Sequence, residues 1–438
     1  MARRRTHVPL NVFLNSRFVG QLTRAASGAV AFQYDTDWLA WEHTFPVSLS
    51  LPLREDAYTG NAVLNVFDNL LPDNPEMRRQ IAARTRADGE DAYSLLARIG
   101  ADCAGALQFL PEGAEPGPSG HIESMPISNV EVEQLLAELD TYPLGIGEDE
   151  AFRISLAGAQ EKTALLAYEN QWHKPIGSTA TTHILKPQIG KRGSIDLTQS
   201  VENEYLCMRI LELLGIPTAS TQIIDFGQQR ALVVSRFDRK QTADGRLIRV
   251  PQEDLCQALS VPSPRKYQSD GGPGIVDVLE FLKASDDPEA DQRFFLKSQI
   301  MFWLLGANDG HAKNFSVFIH PGGGFRLTPL YDVMSIQPQM DENQIRRNQA
   351  RMAMAQGRNR HYRIHEIQPR HLVQSAEIAG LPSAMVEHEM SEIADKVSEL
   401  MHPIDTGLFD DDVPLSIVHA VSSGISHRLG IMQKSLSK

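Results

Sequence analysis

The sequence predicts an α+β protein with the outline of a two-lobed kinase. Three observations lead to this fold class. Short strand-like runs dominate up to about residue 250, helical patterns dominate after it, and the helical half carries Asp309 and Asn314, separated by four residues, with Asp332 further on. The chain of 438 residues is long enough for two or three domains.

Composition and charge argue against several classes of protein. The 42% hydrophobic and 22% charged residues are ordinary for a globular protein, and a net charge of −13 is unusual for a dedicated nucleic-acid binder. Cys103, Cys207 and Cys256 lie far apart without a CxxC pair, which argues against a disulfide framework or a structural zinc site. No long apolar run follows the basic residues 3–5, so we expect no signal peptide, no membrane span and a cytoplasmic location.

The first half is predicted to hold a β-rich N-terminal subdomain, residues 1–111, and a kinase-like N-lobe, residues 151–250. A segment rich in Pro and Gly and a short helix over 130–139 connect them within residues 112–150. Strand patterns cover 12–14, 18–22, 28–34, 104–110, 154–156, 163–168, 182–186, 221–226 and 230–237. Helical spacing of apolar residues covers 61–71, 75–86, 91–99 and 200–214.

The second half, residues 251–438, is predicted to be a mainly helical C-lobe that carries the catalytic and metal-binding residues. The 3.6-residue periodicity predicts helices over 275–284, 290–306, 370–379, 384–400 and 415–433.

Asp309, Asn314 and Asp332 form the candidate catalytic centre. We expect Asp309 to orient or deprotonate the acceptor hydroxyl, Asn314 to ligate Mg²⁺, and Asp332 to bridge metal and nucleotide phosphates. Mg²⁺ takes hard oxygen ligands, which amide and carboxylate groups supply. His311 and Lys313 are expected to add phosphate or adenine contacts. A polar turn at Asn308-Asp309-Gly310 is the alternative interpretation of that segment alone. It leaves Asn314 and Asp332 unexplained.

A loop of small residues between two predicted strands is the candidate phosphate-binding loop. Small side chains allow backbone N–H groups to approach phosphates. The loop has one glycine and matches neither the GxGxxG nor the P-loop pattern, so a plain hairpin loop is the alternative. Its candidate ATP-binding residues are Ser155, Leu156, Ala157, Gly158, Ala159, Gln160 and Lys162.

Two charged residues and an extended segment complete the predicted nucleotide site. Lys186, at the end of a strand, is expected to contact the α- and β-phosphates, and Glu204 on the next helix to hold it in an ion pair. Glu202 and Glu204 lie on different helix faces, and Glu204 is favoured because its neighbours in helical register are apolar. The hinge candidates for adenine are Val234, Ser235 and Phe237.

Five longer motifs make the chain resemble the HipA family, the serine/threonine-kinase toxins of bacterial HipBA toxin–antitoxin modules. The resemblance runs over essentially the whole chain. The motifs are FDNLLPD at 67–73, FRISLAGAQEK at 152–162, PQED at 251–254, YQSDGGPG at 267–274 and DGHAKNFS at 309–316.

The resemblance implies a phosphoinositide-kinase-like two-lobed core with a small N-terminal subdomain, and phosphorylation of protein serine or threonine with ATP and Mg²⁺. It implies that Asp309 is the base, Asp332 a metal ligand and Ser155 an autophosphorylation site. A phosphate of roughly −2 charge on Ser155 would expel the loop and inactivate the kinase.

The resemblance also implies a substrate and partners. The substrate would be an aminoacyl-tRNA synthetase, glutamyl-tRNA synthetase in the founding case, and its modification would stall translation and cause growth arrest and persistence. The partner would be a HipB-like helix-turn-helix antitoxin dimer, through which operator DNA is mainly bound and the operon is repressed.

One stretch departs from the family pattern. A mobile solvated loop is the ordinary interpretation of such a charged run, and a contact with tRNA, a synthetase or operator DNA is the alternative. The stretch covers residues 340–363 and holds Arg346, Arg347, Arg351, Arg358, Arg360 and Arg363.

The residues leave two other functions open. A small-molecule or lipid kinase would need the same phosphotransfer centre. A catalytically silent co-repressor bound to a helix-turn-helix protein would not, and the presence of Lys186, Asp309, Asn314 and Asp332 argues against decayed catalysis.

Overall fold

The computed structural model describes residues 7–147, 152–401 and 412–437. The basic run at 3–5 and the predicted boundary between 150 and 151 lie outside these residues. The chain divides into two compact units. The first comprises Met1–Pro187, Asp225–Pro264 and Ser316–Phe325, and the second comprises Gln188–Ile224, Arg265–Phe315 and Arg326–Lys438.

The α-helices of the described residues include α9, whose C-terminal end leads directly into the candidate catalytic motif. They are α1 Thr36–Leu39, α2 Asn61–Phe67, α3 Pro75–Thr85, α4 Ala92–Ile99, α5 Asn129–Ala137, α6 Ser200–Leu213, α7 Leu255–Ala258, α8 Ile275–Leu282, α9 Pro288–Leu305, α10 Gln337–Asp341, α11 Pro369–Ile378, α12 Ser383–Leu400 and α13 Leu415–Leu436.

The β-strands are short, and those longer than three residues fall mostly in the first unit. They are β1 Leu10–Leu14, β2 Arg17–Arg24, β3 Val30–Tyr34, β4 Tyr58–Thr59, β5 Leu107–Pro111, β6 Ser124–Ile127, β7 Thr163–Tyr168, β8 Gln171–Pro175, β9 His183–Pro187, β10 Gly190–Arg192, β11 Ile195–Leu197, β12 Thr221–Phe226, β13 Gln229–Ser235, β14 Arg239–Gln241, β15 Leu247–Arg249, β16 Gln252–Asp254, β17 Ser316–Ile319, β18 Phe325–Leu327, β19 Arg351–Gln356 and β20 His361–Arg363.

Two antiparallel sheets organise the first unit. One has the strand order β4-β3-β2-β1-β5, and the other has the order β12-β13-β9-β7-β8-β6. Strands β1 and β2 form the hairpin that the sequence predicts, with Asn15 and Ser16 at positive φ in its turn. Trp38, Phe32 and Phe67 fill the core beneath the first sheet. In the second sheet, β9 pairs with both β7 and β13, which places Lys186 on a central strand.

Helices α8, α9, α11, α12 and α13 form most of the second unit, and α9 packs against α8, α12 and α13. The sequence sets both ends of α9. Asp287 caps its first turn by accepting a hydrogen bond from the Ala290 amide at 3.2 Å, and Pro288 opens the helix. Gly306 ends it at φ 70°, a left-handed cap that suits glycine. No helix among the described residues is long and apolar enough to cross a membrane.

The predicted helices over 75–86, 91–99 and 200–214 agree with α3, α4 and α6 to within one residue at each end. The prediction of a strand over 154–156 is wrong. Only Ile154 forms a bridge, to Asp102, because the loop's polar groups bond to neighbouring loops instead of to a strand ladder. Strands β16 to β20 interrupt the half predicted as helical; most are three residues long and too short to give an alternating pattern.

The interpretation of residues 340–363 as a mobile solvated loop is also wrong. The stretch contains β19 and β20, which pair as an antiparallel ribbon. Residues Met352 to Gln356 are all buried, so both faces of β19 are covered within the second unit, while the arginines of the stretch stay exposed. Sequence periodicity missed this because five consecutive buried residues show no alternation.

Candidate active-site residues in two units

The candidate phosphate loop of the first unit is held in place by the N-terminal part of the chain. The backbone amide of Ser155 donates to the Asp102 carbonyl at 2.9 Å, and its hydroxyl donates to the Leu70 carbonyl at 2.7 Å. The Asp73 amide donates to the Gly158 carbonyl at 3.0 Å. Ser155 is fully buried. The loop is therefore docked against two segments, around Leu70 and Asp102, that no sequence pattern connects with it.

Gly158 has a conformation that explains why a glycine stands in this loop. Its φ is +105°, a region that other residues rarely adopt, and a Cβ at this position would lie 2.7 Å from Nζ of Lys162. The loop thus turns tightly around the Lys162 ammonium group. Leu156 is buried, while Ala157, Ala159 and Gln160 are partly or fully exposed.

Lys186 lies on β9 opposite Leu232 of β13 and is only 6% exposed. A lysine on a surface strand end is normally solvated, so this burial separates Lys186 from the ordinary case. The hinge candidates follow on the neighbouring strand. Val234 and Ser235 end β13, and the ring of Phe237 lies edge-on to Phe318 at 5.7 Å.

A buried ionic cluster fixes the segment after the hinge. The Asp102 carboxylate accepts hydrogen bonds from Arg239 and Arg249 at 2.8 Å, and Asp238 accepts one from Arg236 at 2.8 Å. Burial acts to raise the pKa of Asp102, but the guanidinium groups of Arg239, Arg249 and Arg236 outweigh it and hold the pKa well below its usual range. Sequence reasoning missed this cluster, because its members come from distant parts of the chain.

Asp102 therefore connects two parts of the candidate nucleotide site. Its carboxylate binds the arginines after the hinge, and its backbone carbonyl accepts from the phosphate loop at Ser155. Removing one partner from such a cluster leaves an uncompensated buried charge, which is strongly destabilising.

The candidate base lies in the second unit, just after the cap of α9. The Asp309 side chain is 53% exposed, which an acceptor substrate requires. Its Oδ1 accepts a hydrogen bond from the Tyr267 hydroxyl and lies 3.8 Å from Nε2 of His311. Tyr267 and His311 pack edge to face at 4.8 Å. Burial lowers the pKa of His311, partly opposed by Asp309, so the imidazole is neutral near pH 7.

Asn314 is oriented by the backbone of the candidate base. Its amide nitrogen donates to the Asp309 carbonyl at 2.9 Å, which leaves the amide oxygen to face another ligand. Lys313 beside it is buried, and its carbonyl accepts from the Tyr331 hydroxyl at 3.1 Å. This contact links the motif at 309–314 to the residue that precedes Asp332.

Asp332 has φ +61°, a left-handed conformation that is uncommon for a residue other than glycine. Such strain persists only where surrounding contacts enforce it, and it concentrates at functional sites. An amide oxygen of Asn314 and a carboxylate of Asp332 are the donor types that Mg²⁺ takes, with phosphate oxygens and water as further ligands. The residues present therefore fit a magnesium site.

A hydrogen-bond network fixes the segment that follows Asp332. Asn203 on α6 donates to the Ser335 carbonyl at 2.7 Å and accepts from the Ser335 amide at 3.0 Å. The Ser335 hydroxyl donates to the Leu305 carbonyl at 2.6 Å, at the end of α9. The guanidinium of Arg428 donates to the Leu304 carbonyl at 2.9 Å. Sequence reasoning missed these residues, which carry no motif.

Helix α6 buries both of its early glutamates. Glu202 accepts from the Gln188 side chain at 2.7 Å, and Glu204 follows half a turn later. The ion pair of Glu204 with Lys186 stays a prediction. Within the second unit the structure brings together Asp309, His311, Lys313, Asn314 and Asp332, and within the first it brings together the loop and its docking segments.

Comparisons with known proteins give the family. A family model described as the HipA-like C-terminal domain matches residues 154–401, and one described as the HipA N-terminal domain matches residues 10–110. The chain belongs to the HipA family. The predicted resemblance is thereby confirmed, and the names of the relatives described next confirm the serine/threonine kinase class.

Two relatives and one solved structure illustrate the match. A protein named putative kinase Y4mE, from Sinorhizobium fredii, is 38% identical over 74% of this chain and 77% of its own length. The serine/threonine-protein kinase toxin HipA of Shewanella oneidensis is 30% identical over 76% of this chain and 77% of its own length.

The solved structure is that of the Shewanella oneidensis HipA, HipB and operator DNA complex. It matches with a TM-score of 0.79 and 26% identity, over 98% of this chain and 99% of that chain. This match confirms the predicted fold class.

Proposed function

We propose that the chain is the toxin of a type II toxin–antitoxin module and phosphorylates protein serine or threonine with ATP and Mg²⁺. The observation that carries this proposal is the orientation of Asn314, whose amide nitrogen is bound to the Asp309 backbone while its oxygen stays available beside the candidate base. A merely polar turn does not require that arrangement. Membership of the HipA family supports the reaction class.

Each candidate residue receives a role in this proposal. Asp309 accepts the proton of the acceptor hydroxyl, and Asn314 and Asp332 hold Mg²⁺ through hard oxygen atoms. When bound, Mg²⁺ would neutralise negative charge on the phosphates. Lys186 provides a positive charge to the α- and β-phosphates, and Glu204 orients it.

The remaining candidates bind the nucleotide. The phosphate loop, including Leu156, Ala157, Gly158, Ala159, Gln160 and Lys162, offers backbone N–H groups and one ammonium group to the phosphates. Val234, Ser235 and Phe237 contact the adenine, and His311 and Lys313 add phosphate or adenine contacts.

Autophosphorylation of Ser155 would inactivate the kinase. The Ser155 hydroxyl is buried and bound to the Leu70 carbonyl, so the loop must leave this position before the hydroxyl can react. A phosphate of roughly −2 charge could not return to a buried site facing a carbonyl oxygen. The modified loop would therefore remain released.

Substrate and partners follow from the family. We propose an aminoacyl-tRNA synthetase, glutamyl-tRNA synthetase first, as the substrate, which places the reaction in the cytoplasm. We propose a HipB-like helix-turn-helix dimer as the antitoxin, with operator DNA bound mainly through that dimer. Support comes from 30% identity to a HipA toxin and from the match to HipA in its complex with HipB and operator DNA.

The deciding experiment compares the wild type with Asp309→Asn by phosphoproteomics in expressing cells and by transfer from radiolabelled ATP to purified glutamyl-tRNA synthetase. We expect a synthetase phosphopeptide and Ser155 phosphorylation in the wild type alone. Asp140→Asn, which neutralises an exposed carboxylate of the first unit, is the control and should behave as the wild type.

Other outcomes point to other functions. Transfer that persists in Asp309→Asn would overturn the proposed base. Activity without any new phosphoprotein would favour a small-molecule or lipid kinase, and a lack of Mg²⁺-dependent ATP binding by calorimetry would favour a silent co-repressor.

A further inference from the structure

Helix α13 carries a buried arginine that has no acidic partner. Arg428 is 5% exposed, and among the described residues no carboxylate lies within ion-pair distance of its guanidinium group. Its Nη2 atom has no hydrogen-bond partner among those residues. Burial lowers the pKa of Arg428 to about 10, partly opposed by Asp341, so the group stays charged near neutral pH. A buried cation without a carboxylate is costly, and such groups are expected where a function requires them.

The guanidinium group bridges two segments of the chain. Its Nε donates to the Leu304 carbonyl at 2.9 Å, in the last turn of α9. Its Nη1 donates to the side-chain oxygen of Gln337 at 2.9 Å, at the start of α10. Asp309 follows Leu304 by five residues, and Asp332 precedes Gln337 by five. A single side chain of α13 therefore contacts both the segment that leads to the candidate base and the segment that follows the candidate metal ligand.

The contact with α9 completes the C-terminal end of that helix, where the last four carbonyl groups have no partner within the helix. The Ser335 hydroxyl donates to the Leu305 carbonyl at 2.6 Å. The Ile336 amide donates to the Gly306 carbonyl at 3.1 Å. Arg428 adds a further donor from outside the helix, and its positive charge interacts favourably with the negative end of the helix dipole. The entry to the candidate catalytic motif is thus fixed by neighbouring segments.

Two glycines leave space for the guanidinium group. A Cβ at Gly306 would lie 3.2 Å from Nη2 of Arg428, and a Cβ at Gly424, on α13 itself, would lie 2.5 Å from the same atom. The Cβ at Gly424 would also lie 2.6 Å from the side-chain oxygen of Gln337. Glycine in the middle of a helix is unfavourable relative to alanine, so Gly424 requires a packing reason. The space that it leaves for the hydrogen bond between Arg428 and Gln337 is that reason.

We propose that Arg428 is a positioning residue of the kinase, which holds the candidate base Asp309 in register with the candidate metal ligand Asp332. This inference rests on the proposed function and deepens it, because it makes the C-terminal helix α13 part of the machinery for phosphoryl transfer. Arg428 acts through the two segments that it bridges. Phosphoryl transfer depends mainly on the positioning of several groups around one phosphate, so a small loss of register slows the chemical step.

A pair of glycine variants tests this role without changing any charge. Gly424→Ala should displace the guanidinium group. Gly430→Ala is the matched control on the same helix, because an added Cβ there meets no atom of the described residues within 4 Å apart from the adjoining helix backbone. Both changes favour the helix by the same intrinsic preference for alanine over glycine, so they differ only in what the new methyl group meets.

The kinetic measurement follows transfer from radiolabelled ATP to purified glutamyl-tRNA synthetase by the full chain. In Gly424→Ala we expect kcat to fall at least about tenfold and the Mg²⁺ concentration for half-maximal rate to rise several-fold. The KM for ATP should change little, because Lys186 and the phosphate loop, which are proposed to bind the nucleotide, belong to the first unit. Gly430→Ala should keep all three wild-type values.

Arg428→Lys separates the bridge from the charge. Lysine keeps a positive charge near the end of α9, but it lacks the planar fork that reaches two acceptors at once. We therefore expect Arg428→Lys to lose kcat as Gly424→Ala does. A residue that only stabilised the fold would lower the midpoint of thermal unfolding and leave kcat per folded molecule unchanged.

Hydrogen exchange adds a readout that does not require turnover. The amides of residues 304–314 and 332–337 should exchange at least about tenfold faster in Gly424→Ala and Arg428→Lys than in the wild type and Gly430→Ala. Equal exchange in the two glycine variants, or wild-type kcat in Arg428→Lys, would overturn this proposal and leave the proposed function intact. A wild type that transfers no phosphate would overturn the proposed function, and this proposal with it.

Discussion

The Ser155 hydroxyl donates a 2.7 Å hydrogen bond to the Leu70 carbonyl, so the residue proposed to be phosphorylated also holds the phosphate loop in place. Leu70 belongs to the N-terminal motif at 67–73, far from the loop in sequence. The motifs at 67–73 and 152–162 are therefore in direct contact, although they lie far apart in the sequence.

This contact predicts that Ser155→Asp releases the loop. A carboxylate cannot donate to the Leu70 carbonyl and would be buried facing it, which is unfavourable. Hydrogen exchange of the 152–162 segment should rise strongly, and ATP affinity should fall by at least about tenfold. Ser155→Ala, which loses about 1 kcal/mol of hydrogen bonding, should show a smaller rise. Ser27→Asp, which introduces the same charge at an exposed position, is the control. Equal hydrogen exchange of the 152–162 segment in all three variants would contradict the docking role of Ser155.

The conformation of Gly158 predicts that Gly158→Ala raises the KM for ATP. The alanine Cβ would meet Lys162 Nζ at 2.7 Å and would require φ +105°, at a cost of about 1–3 kcal/mol. Steady-state kinetics should show a several-fold higher KM. Gly147→Ala serves as the control because no atom of the described residues, its chain neighbours aside, lies within 4 Å of its Cβ position. An unchanged KM in Gly158→Ala would show that the loop does not bind the nucleotide as proposed.

The hydrogen bond between Tyr267 and Asp309 predicts a loss of kcat in Tyr267→Phe. The phenylalanine keeps the ring that packs on His311 but removes the hydroxyl that orients the carboxylate. We expect kcat to fall about tenfold, with the KM for ATP nearly unchanged, as for a hydrogen bond to a charged group. Tyr168→Phe in the first unit should have no effect. A matching rise in KM would instead indicate that Tyr267 acts on the nucleotide.

The contacts of Asn203 predict that its substitution changes the Mg²⁺ dependence of activity, although Asn203 is not a proposed metal ligand. Asn203→Ala leaves the buried amide and carbonyl of Ser335 without their partner, which should cost about 2–4 kcal/mol and loosen the segment after Asp332. The Mg²⁺ concentration for half-maximal activity should rise several-fold. Gln292→Ala removes a similar buried hydrogen bond, to the Leu279 carbonyl at 2.9 Å. This control should lower the free energy of unfolding and leave the Mg²⁺ dependence of activity unchanged. If the two variants share one Mg²⁺ dependence, the network does not position Asp332.

Glu253 predicts a pH dependence of stability. Its carboxyl is buried and accepts from the Leu49 amide at 2.7 Å; burial raises its pKa from the usual 4.5 to about 8. Between these values the folded state keeps a proton that the unfolded chain has lost. The free energy of unfolding should therefore fall as pH rises from about 4.5 to about 8, by up to about 1.4 kcal/mol per unit.

Glu253→Gln should remove this dependence, because the amide does not titrate. Urea denaturation at several pH values should show the variant gaining on the wild type as pH rises. Glu42→Gln, at an exposed position, should leave the profile of the wild type unchanged. Parallel profiles for Glu253→Gln and the wild type would mean that the carboxyl is already ionised in the folded state.

The sequence by itself determined the elements with strong periodicity and the residues that carry motifs. Helices α6 and α9 followed from the spacing of their apolar residues, because this local rule does not depend on distant parts of the chain. The motif at 309–316 and the family resemblance named Asp309, Asn314 and Asp332 as candidates. Their chemistry follows from residue type and spacing.

Only the tertiary structure decided which distant residues hold these candidates in place. The Asp102 cluster, the Ser155–Leu70 contact and the Asn203–Ser335 pair join residues between 85 and 147 positions apart. Each depends on how backbone carbonyls and side chains are buried together, and no local pattern records that. The same reason applies to residues 340–363. Their arginines predicted a charged surface, but only the tertiary structure showed that this stretch forms an ordered antiparallel ribbon.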